Sequence, residues 1–411
     1  MANNIIVGID IGSHSVYTVV AQKKEDILPQ IIGIGFSRAS GVRRGVIVDI
    51  EEAMQSISES VQAAERMAGV KIEKAIVSIG GSHAFSSQSR GVVAVSRADG
   101  EISAEDIDRV IGAAQTFSMP NNREILHVIP REFIVDGEGN IKDPLGMKGV
   151  RLEANTLIIN GASPYTRNLS RCLNDLDIEV ESTVLDTLAA SKAVLTKRQK
   201  ELGVVCVDIG GGTTGVAVYE EGDLLHTSIV PLGGAHITND IAIGLRIPVE
   251  AAESIKLEYG SALASEVTKK DFIDLSYIDN QENGSISRKE LCEIIEARLS
   301  EIFDLVNKEL KKIGKEAFLP GGVVLVGGGA KTPHIVDFAK QKMRLPVQIG
   351  FPREVEGIVE RVDDPVYATV LGLVFWGIDL RYEVKEGFIP QIPSLNNSVR
   401  QLRRWFKAFM P

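Results

Sequence analysis

The fold is decided by Val205-Cys206-Val207-Asp208-Ile209-Gly210-Gly211-Gly212-Thr213-Thr214, an apolar run that ends in an aspartate and a turn of small residues. A shorter copy, Val7-Gly8-Ile9-Asp10-Ile11-Gly12-Ser13, stands near the beginning of the chain. A second β-prone run follows each copy, which predicts a hairpin whose tip exposes backbone N–H groups and small hydroxyls. Glycines let a backbone approach an anion closely, and the aspartate can hold a hydrated divalent cation beside it. The pair therefore predicts a phosphate-binding cleft between duplicated lobes.

A third glycine cluster lies farther along, in Val323-Val324-Leu325-Val326-Gly327-Gly328-Gly329-Ala330-Lys331. This apolar strand leads into a turn, and Pro333 is predicted to open the helix that follows. A tight strand-to-helix turn is the simpler interpretation. Three successive glycines exceed what such a turn needs, so the close approach of a flat ligand such as adenine or ribose is the better explanation.

Size and composition restrict the class of protein. A chain of 411 residues is too long for one ordinary core, and its 44% hydrophobic content is typical of a globular protein. Cys172, Cys206 and Cys292 lack C-x-x-C spacing, which indicates a reducing compartment and argues against a disulfide framework or a structural metal. The net charge of −10 with interspersed cations argues against a nucleic-acid partner. No signal peptide and no run of about 18 apolar residues is recognised, so neither export nor a membrane span is expected.

Strands and helices are predicted to alternate in both halves of the chain. Asp49 is a good N-cap for a helix over residues 51–67, and Ser287 with Glu290 forms a capping-box pattern that opens a long helix toward Ile313. Other helices are expected over 164–173, 186–195, 235–245, 248–259 and 365–375. Between residues 83 and 161 the pattern changes, with Ser103 capping a helix through Phe117, which predicts a small inserted α+β domain.

The two hairpins, the helix that connects them and the glycine-rich turn resemble the actin, Hsp70 and sugar-kinase superfamily. Within it, essentially the whole chain resembles the FtsA family of actin-like proteins of bacterial cell division. The most specific part of the resemblance, to the inserted subdomain of that family, is carried by Leu126-His127-Val128-Ile129-Pro130, Val135-Asp136-Gly137, Asp143-Pro144-Leu145-Gly146-Met147 and Arg151-Leu152-Glu153. The resemblance implies an α/β fold of duplicated actin-like (ribonuclease H-like) domains around a nucleotide cleft, with a small inserted α+β subdomain.

The same resemblance suggests how the chain is divided. Subdomain 1A would comprise residues 1–82 and 163–203, the inserted subdomain 1C residues 83–162, subdomain 2A residues 204–240 and 316–364, and subdomain 2B residues 241–315. A return helix to subdomain 1A at 365–384, a linker at 385–394 and a terminal amphipathic helix at 395–411 would complete the chain.

ATP and Mg²⁺ are the ligands that the resemblance implies. Asp10 and Asp208 would hold the magnesium shell, and Asp10 and Asp186 would act on the attacking water. The phosphates would be lined by Gly12, Ser13, His14, Gly210, Gly211, Gly212, Thr213 and Thr214. The adenosine turn would be formed by Gly327, Gly328, Gly329 and Lys331.

Glu253 and Lys256 resemble the Glu-x-x-Lys pair of the family, which would reach the ribose and the base. Their i,i+3 spacing places both side chains on one helix face. An exposed ion pair is the alternative that the spacing alone would favour.

One departure concerns the start of the connecting helix, where relatives usually have Glu-Pro and this chain has Asp186-Thr187. The shorter aspartate reaches about one C–C bond less far, so a water would have to bridge it to a ligand. The resemblance therefore implies nucleotide binding and at most a slow ATPase, and it leaves the hydrolysis rate open.

The last residues separate into two faces on a helical wheel. The apolar face comprises Leu395, Val399, Leu402, Trp405, Phe406, Phe409 and Met410, and the opposite face gathers Arg400, Arg403, Arg404 and Lys407. No acidic residue follows Glu386. Aromatic residues on one face and cations on the other are typical of a helix that lies in the headgroup plane of an anionic membrane. A core-packing helix is the alternative, but the terminal position and the preceding Pro390 and Pro393 favour the membrane.

For partners, the resemblance implies polymers on the cytoplasmic face of the inner membrane that tether the tubulin-like protein FtsZ at the division site, together with other division proteins. The acidic C-terminal peptide of FtsZ could meet Arg288, Lys289 and Arg298 in the 2B subdomain. A solvated charged face explains these residues equally well.

Three other functions compete with this one. A related actin-like scaffold of type IV pilus assembly, PilM, would share the cleft and the inserted domain, but it is expected to reach the membrane through partner proteins. A small-molecule kinase would need a dedicated general base in an acceptor pocket, for which the sequence offers no signature. An Hsp70-like chaperone would need a peptide-binding module, for which the residues after the nucleotide domain leave no room.

Overall fold

The computed structural model describes residues 4–23, 27–116, 120–268, 270–274, 284–358 and 362–385. The strands are β1 (Ile5–Ile11), β2 (Ser15–Gln22), β3 (Gln30–Arg38), β4 (Val42–Arg43), β5 (Val46–Ile47), β6 (Lys74–Ile79), β7 (Phe85–Ala94), β8 (Arg123–Val135), β9 (Glu138–Ile141), β10 (Arg151–Ala162), β11 (Glu179–Leu185), β12 (Val204–Ile209), β13 (Thr214–Glu220), β14 (Asp223–Val230), β15 (Phe272–Asp274), β16 (Ser285–Ser287), β17 (Val323–Val326), β18 (Val347–Ile349) and β19 (Glu356–Gly357). The helices are α1 (Ile50–Ala68), α2 (Ala104–Ala114), α3 (Ser163–Asn174), α4 (Asp186–Val194), α5 (Lys197–Leu202), α6 (Gly234–Leu245), α7 (Val249–Tyr259), α8 (Arg288–Lys312), α9 (Ile335–Met343) and α10 (Ala368–Lys385).

The two lobes are built on sheets with the same strand order. The first sheet runs β3-β2-β1-β6-β11, with β19 added at its edge, and the second runs β14-β13-β12-β17-β18. In each sheet the opening hairpin is antiparallel and its first strand pairs in parallel with a later strand, β1 with β6 and β12 with β17. The central strands are buried on both faces, which explains their continuous apolar runs. The predicted α/β duplication is confirmed.

Several helices begin where their capping residues predict. The Asp49 side chain accepts a hydrogen bond from the Glu52 backbone N–H at the start of α1, and Ser287 accepts one from the Glu290 N–H at the start of α8. At α2, Ser103 and Asp106 cap each other reciprocally. Buried Leu291, Ile295, Leu299, Ile302, Val306 and Leu310 form the core stripe of α8.

Two expectations about the elements were wrong, and one helix was not predicted. Pro333 does not open a helix, because a short 3₁₀ turn over Gly328–Lys331 intervenes and α9 begins at Ile335. Helix α2 ends at Ala114, and the expected terminus at Phe117 lies outside the described residues. Helix α5 was not predicted, although its Thr196 cap and Gln199 form a capping box.

The inserted subdomain is a sheet of order β7-β10-β8-β9 with α2 packed on one face. Its small core contains Val110, Ile111, Phe133, Leu152 and Ile158. It also contacts the second lobe. Ser86 Oγ donates a hydrogen bond of 2.8 Å to the Thr227 carbonyl oxygen, and Lys142 pairs with Asp223.

Two buried helices, α4 and α10, cross between the lobes. A Cβ built on Gly372 of α10 would overlap the carbonyl oxygen of Ala189 in α4, so the crossing depends on a glycine. The apolar helix predicted over 365–375 is present but extends to Lys385. No helix in the described part of the chain is long and apolar enough to cross a membrane. The linker after Lys385 and the amphipathic segment at 395–411 lie outside the described residues.

Candidate functional site

The tips of the two duplicated hairpins meet face to face. The same turn closes both: the Gly12 N–H donates to the Ser15 carbonyl at 3.0 Å, and the Gly210 N–H donates to the Thr213 carbonyl at 2.9 Å. A Cβ built on Gly211 would lie 2.8 Å from the Cβ of His14, and one on Gly212 would lie 2.7 Å from Ser13 Oγ. Any side chain at these two positions would push the lobes apart, which explains the glycines.

Between the lobes the hairpins border a cleft of about 610 Å³. Its walls contain nearly all of the nucleotide-site residues that the sequence predicted: Asp10, Gly12, Ser13, His14, Asp186, Asp208, Gly210, Gly211, Gly212, Thr213, Glu253, Lys256, Gly327, Gly328, Gly329 and Lys331. Thr214 is the exception and corrects the prediction. Its side chain is fully buried and its hydroxyl donates to the Leu232 carbonyl at 2.8 Å, because Thr214 is already the first residue of β13 and turns away from the tip.

Three carboxylates lie together at the floor of the cleft. Asp10 and Asp208 end equivalent strands, and Asp186 begins α4 directly after β11. Burial, reinforced by the nearby Asp208 charge, raises the pKa of Asp10 to about 7. Burial and the charges of Asp208 and Asp10 likewise raise the pKa of Asp186 to about 7, and burial raises that of Asp208 to about 6. The cleft therefore holds negative charge that a cation would stabilise.

The carboxylates of the cleft can supply part of what a magnesium ion needs. Among the described residues, no group of three or more acidic, histidine or cysteine side chains is close enough to hold a metal by itself. Mg²⁺ ordinarily keeps several waters and takes one or two carboxylates together with phosphate oxygens. Asp10 and Asp208 would hold such an ion, and phosphate oxygens would supply further ligands.

Asp186 is held in one orientation. Its Oδ1 accepts hydrogen bonds from the Thr187 backbone N–H at 2.6 Å and from the Thr187 hydroxyl at 3.0 Å. Its Oδ2 lies against Gly80, where a Cβ would overlap it. The shorter side chain of the Asp-Thr pair is thus fixed by two donors, neither of which proline could provide.

Glu253 and Lys256 form the expected i,i+3 ion pair, but the pair lies in the cleft wall. Lys256 Nζ lies 2.6 Å from Glu253 Oε2 and 2.8 Å from Thr238 Oγ1. The side chains of Lys256 and Glu253 are only 16% and 18% exposed, respectively. The ion pair is therefore present, and both residues line the cleft; their contact with a ribose and a base stays a prediction. Thr238, which also bonds Glu253, was missed because it comes from a different helix.

The glycine turn after β17 has a different basis from the one the sequence suggested. Gly327 has a positive φ of 80° and leaves no room for a Cβ beside Asp208 Oδ1, while a Cβ on Gly329 would lie 2.7 Å from the Cβ of Ile209. Only Gly328 of the three faces open space. Packing against β12 explains two of the glycines, and no neighbouring protein atom requires the third, Gly328.

Sequence reasoning missed residues that come from elements without a motif. Ser78, at the end of β6, hydrogen-bonds the Ile11 N–H at 2.9 Å and the side chain of Asp10. Thr369, at the start of α10, bonds Asp208 Oδ2 at 3.3 Å. Arg38, Gly45 and Gly234 also line the cleft. No local pattern marks these residues, because distant segments bring them in.

The basic residues expected to meet an acidic peptide are partly engaged already. Arg298 binds Asp240 through two nitrogens, at 2.6 and 2.9 Å, and so connects α8 with α6. Arg288 pairs with Asp271 at 2.8 Å. Lys289 has no ion pair among the described residues.

Comparison with known proteins identifies the chain's relatives. A family model described as "Cell division protein FtsA" matches residues 205–372, and one described as "SHS2 domain inserted in FTSA" matches residues 81–160. Cell division protein FtsA of Borreliella burgdorferi is 39% identical over 99% of both chains. That of Bacillus subtilis is 40% identical over 90% of this chain and 83% of the relative, and that of Pseudomonas aeruginosa 38% over 92% and 90%.

Solved structures share the fold at low identity. A chain of the PilM-PilN type IV pilus biogenesis complex superposes with a TM-score of 0.66 and 14% identity, covering 91% of this chain and 98% of that one. MreB5 of Spiroplasma citri bound to ADP gives 0.56 and 15%, covering 93% and 99%. These likenesses show that the chain has the actin-like fold.

Proposed function

The chain belongs to the FtsA family of cell division proteins, and on that premise we propose that it binds MgATP in the cleft and assembles on the cytoplasmic face of the membrane at the division site, where it anchors the FtsZ ring. One observation carries the nucleotide part of this proposal. Two glycine-rich hairpins of the same design touch across the cleft, next to three half-buried carboxylates.

The cleft provides complementary groups for each part of the nucleotide. The hairpin tips at Ser13 and Gly211 would bind the phosphates through backbone N–H groups. Glu253 and Lys256 would reach the ribose and base, and Gly328 would leave room beside them. The MreB5 protein with the same fold was solved with ADP and with AMPPNP, which supports this assignment.

Slow hydrolysis is the expected chemistry. Bound magnesium would neutralise charge on the phosphates. Asp10 and Asp186, each with a pKa raised to about 7, would accept a hydrogen bond from a water in the cleft and take its proton.

The nucleotide assignment is tested by replacing Asp208 with Asn in the full-length chain and measuring the binding of a fluorescent ATP analogue with Mg²⁺. Affinity should fall at least about tenfold, since a charge-assisted contact contributes roughly 1.5 to 3 kcal/mol. Glu316→Gln, an exposed position, is the matched control. Equal affinity in wild type and Asp208→Asn would refute the site.

Membrane attachment is proposed from the amphipathic sequence at 395–411. Each cation near an anionic surface contributes roughly 1 kcal/mol, so one copy would bind weakly and a polymer strongly. The test is sedimentation with anionic liposomes in the presence of ATP. Trp405→Glu should abolish pelleting, whereas Asn396→Glu, the same charge change on the opposite side of the wheel, should retain most of it. Loss of pelleting in both variants would indicate a purely electrostatic attachment and would contradict the amphipathic anchor.

The FtsZ peptide is proposed to bind the 2B subdomain near Lys289 and Arg288. Arg298 is assigned instead to holding α6 and α8 together through Asp240. Lys289→Glu should therefore weaken the binding of an FtsZ C-terminal peptide without lowering stability. Unchanged peptide binding would place the contact elsewhere.

A further inference from the structure

Thr187 makes contacts that its position in the sequence does not suggest. It is the second residue of α4 and its side chain is fully buried. Its backbone N–H and its hydroxyl both donate to the same oxygen, Asp186 Oδ1. Two donors on one oxygen leave Asp186 Oδ2 as the oxygen that can accept a proton from a water in the cleft.

The other side of Thr187 lies against the second lobe. A Cβ built on Gly215, in β13, would overlap Thr187 Oγ1 and lie 3.0 Å from its Cβ. Gly215 pairs with Asp208 across the β12–β13 hairpin. The threonine side chain therefore fills a notch directly beside the strand that carries Asp208.

The Asp186 carboxylate is enclosed on its far side as well. Gly80 follows β6 in the first lobe and leaves no room for a Cβ beside Oδ2. The carboxylate thus lies between a glycine of the first lobe and a threonine that rests on the second lobe. A movement of the second lobe would shift Thr187, and through its two hydrogen bonds it would turn Asp186.

We propose that Thr187 is a positioning residue for nucleotide hydrolysis, which sets the Asp186 carboxylate and couples its orientation to the contact between Gly215 and the connecting helix. The proposal rests on the proposed function. The chemistry requires a β-hydroxyl at this position. Valine would fill the notch and keep the backbone N–H donor but lose the hydroxyl donor, whereas serine would keep both donors but fill less of the notch.

The test compares Thr187→Val with Thr187→Ser in the full-length chain. Fluorescent-nucleotide titration gives affinity, and phosphate release gives kcat and KM. Thr187→Val should lower kcat about tenfold, equivalent to losing one hydrogen bond of about 1.4 kcal/mol, while KM and affinity change less than about twofold. Thr187→Ser should restore most of kcat. A parallel loss of affinity, kcat and thermal stability, or an unchanged kcat in Thr187→Val, would overturn the positioning role.

Gly215→Ala provides a second approach if Thr187→Val fails to fold, because its methyl group would displace Thr187 from the opposite lobe. It should lower kcat with little change in affinity. The outcomes also separate the two proposals. If the wild-type chain binds no nucleotide, both the proposed function and this inference are refuted. If the wild type binds nucleotide but does not hydrolyse it, or if kcat is unchanged by substitution of Thr187, only the inference is refuted.

Discussion

At the scale of single residues, the cleft carboxylates work against the stability of the ligand-free protein. A carboxyl whose folded-state pKa lies above its ordinary value binds more protons folded than unfolded. Such a carboxyl therefore lowers the free energy of unfolding by its full amount at a pH above the folded-state pKa of about 7. This destabilisation disappears as the pH falls toward about 4, the ordinary pKa of the group. Asp106 has the opposite effect on stability. Although burial raises its pKa, hydrogen bonds from Ser103 and Arg109 hold the pKa well below its ordinary value, so Asp106 stabilises the fold and this contribution is lost only at more acidic pH.

Asp186→Asn is therefore expected to stabilise the ligand-free protein. At pH 8 the free energy of unfolding should rise by at least about 1.4 kcal/mol, the equivalent of one pKa unit, and the gain should shrink at pH 5. Urea denaturation at both pH values measures it. Glu316→Gln, an exposed carboxylate, should stay within about 0.5 kcal/mol of wild type. A pH-independent effect of Asp186→Asn would contradict this account.

At the scale of elements, a Gly→Ala substitution is expected to change the free energy of unfolding in opposite directions in two different helices. Gly112 in α2 has no atom within 4 Å of an added Cβ, so Gly112→Ala should stabilise by about 0.5 to 1 kcal/mol. Gly372 in α10 touches the α4 backbone, so Gly372→Ala should destabilise by about 1 to 3 kcal/mol or more. Denaturant unfolding of both variants measures the difference. If Gly372→Ala also raised the free energy of unfolding, the α4 and α10 backbones would have to move apart at little cost.

At the scale of the whole molecule, the touching hairpins make closure of the cleft sensitive to single methyl groups. Gly211→Ala places a carbon against His14 and should weaken nucleotide binding at least about tenfold, since the strain would be comparable to overpacking by 1 to 3 kcal/mol. Gly112→Ala, remote from the cleft, is the control. Calorimetric titration with MgATP measures both, and unaltered binding by Gly211→Ala would mean that the lobes bind nucleotide farther apart than they stand here.

Ligand-induced stabilisation is a second property of the whole molecule. At a MgATP concentration of about 100 Kd, the free energy of unfolding should increase by about 2.7 kcal/mol. The increase should depend on magnesium, because without the cation the half-buried carboxylates would face the phosphates directly. Thermal unfolding with ATP and EDTA provides the comparison, and equal stabilisation with and without Mg²⁺ would count against the magnesium assignment.

The sequence by itself determined the duplicated fold, the hairpins and most of the cleft residues, because each depends on local patterns. An apolar strand that ends in Asp and a glycine turn is recognisable within ten residues, and the caps Asp49, Ser103 and Ser287 act on the next helical turn.

Only the tertiary structure decided which neighbours those residues meet. In the folded protein the Thr214 side chain points into the core, and Gly327 and Gly329 pack against β12. Arg298 forms an ion pair with Asp240. It also brought Ser78 to Asp10 and Thr369 to Asp208. The physical reason is that these contacts join segments far apart in the chain, so no local spacing records them.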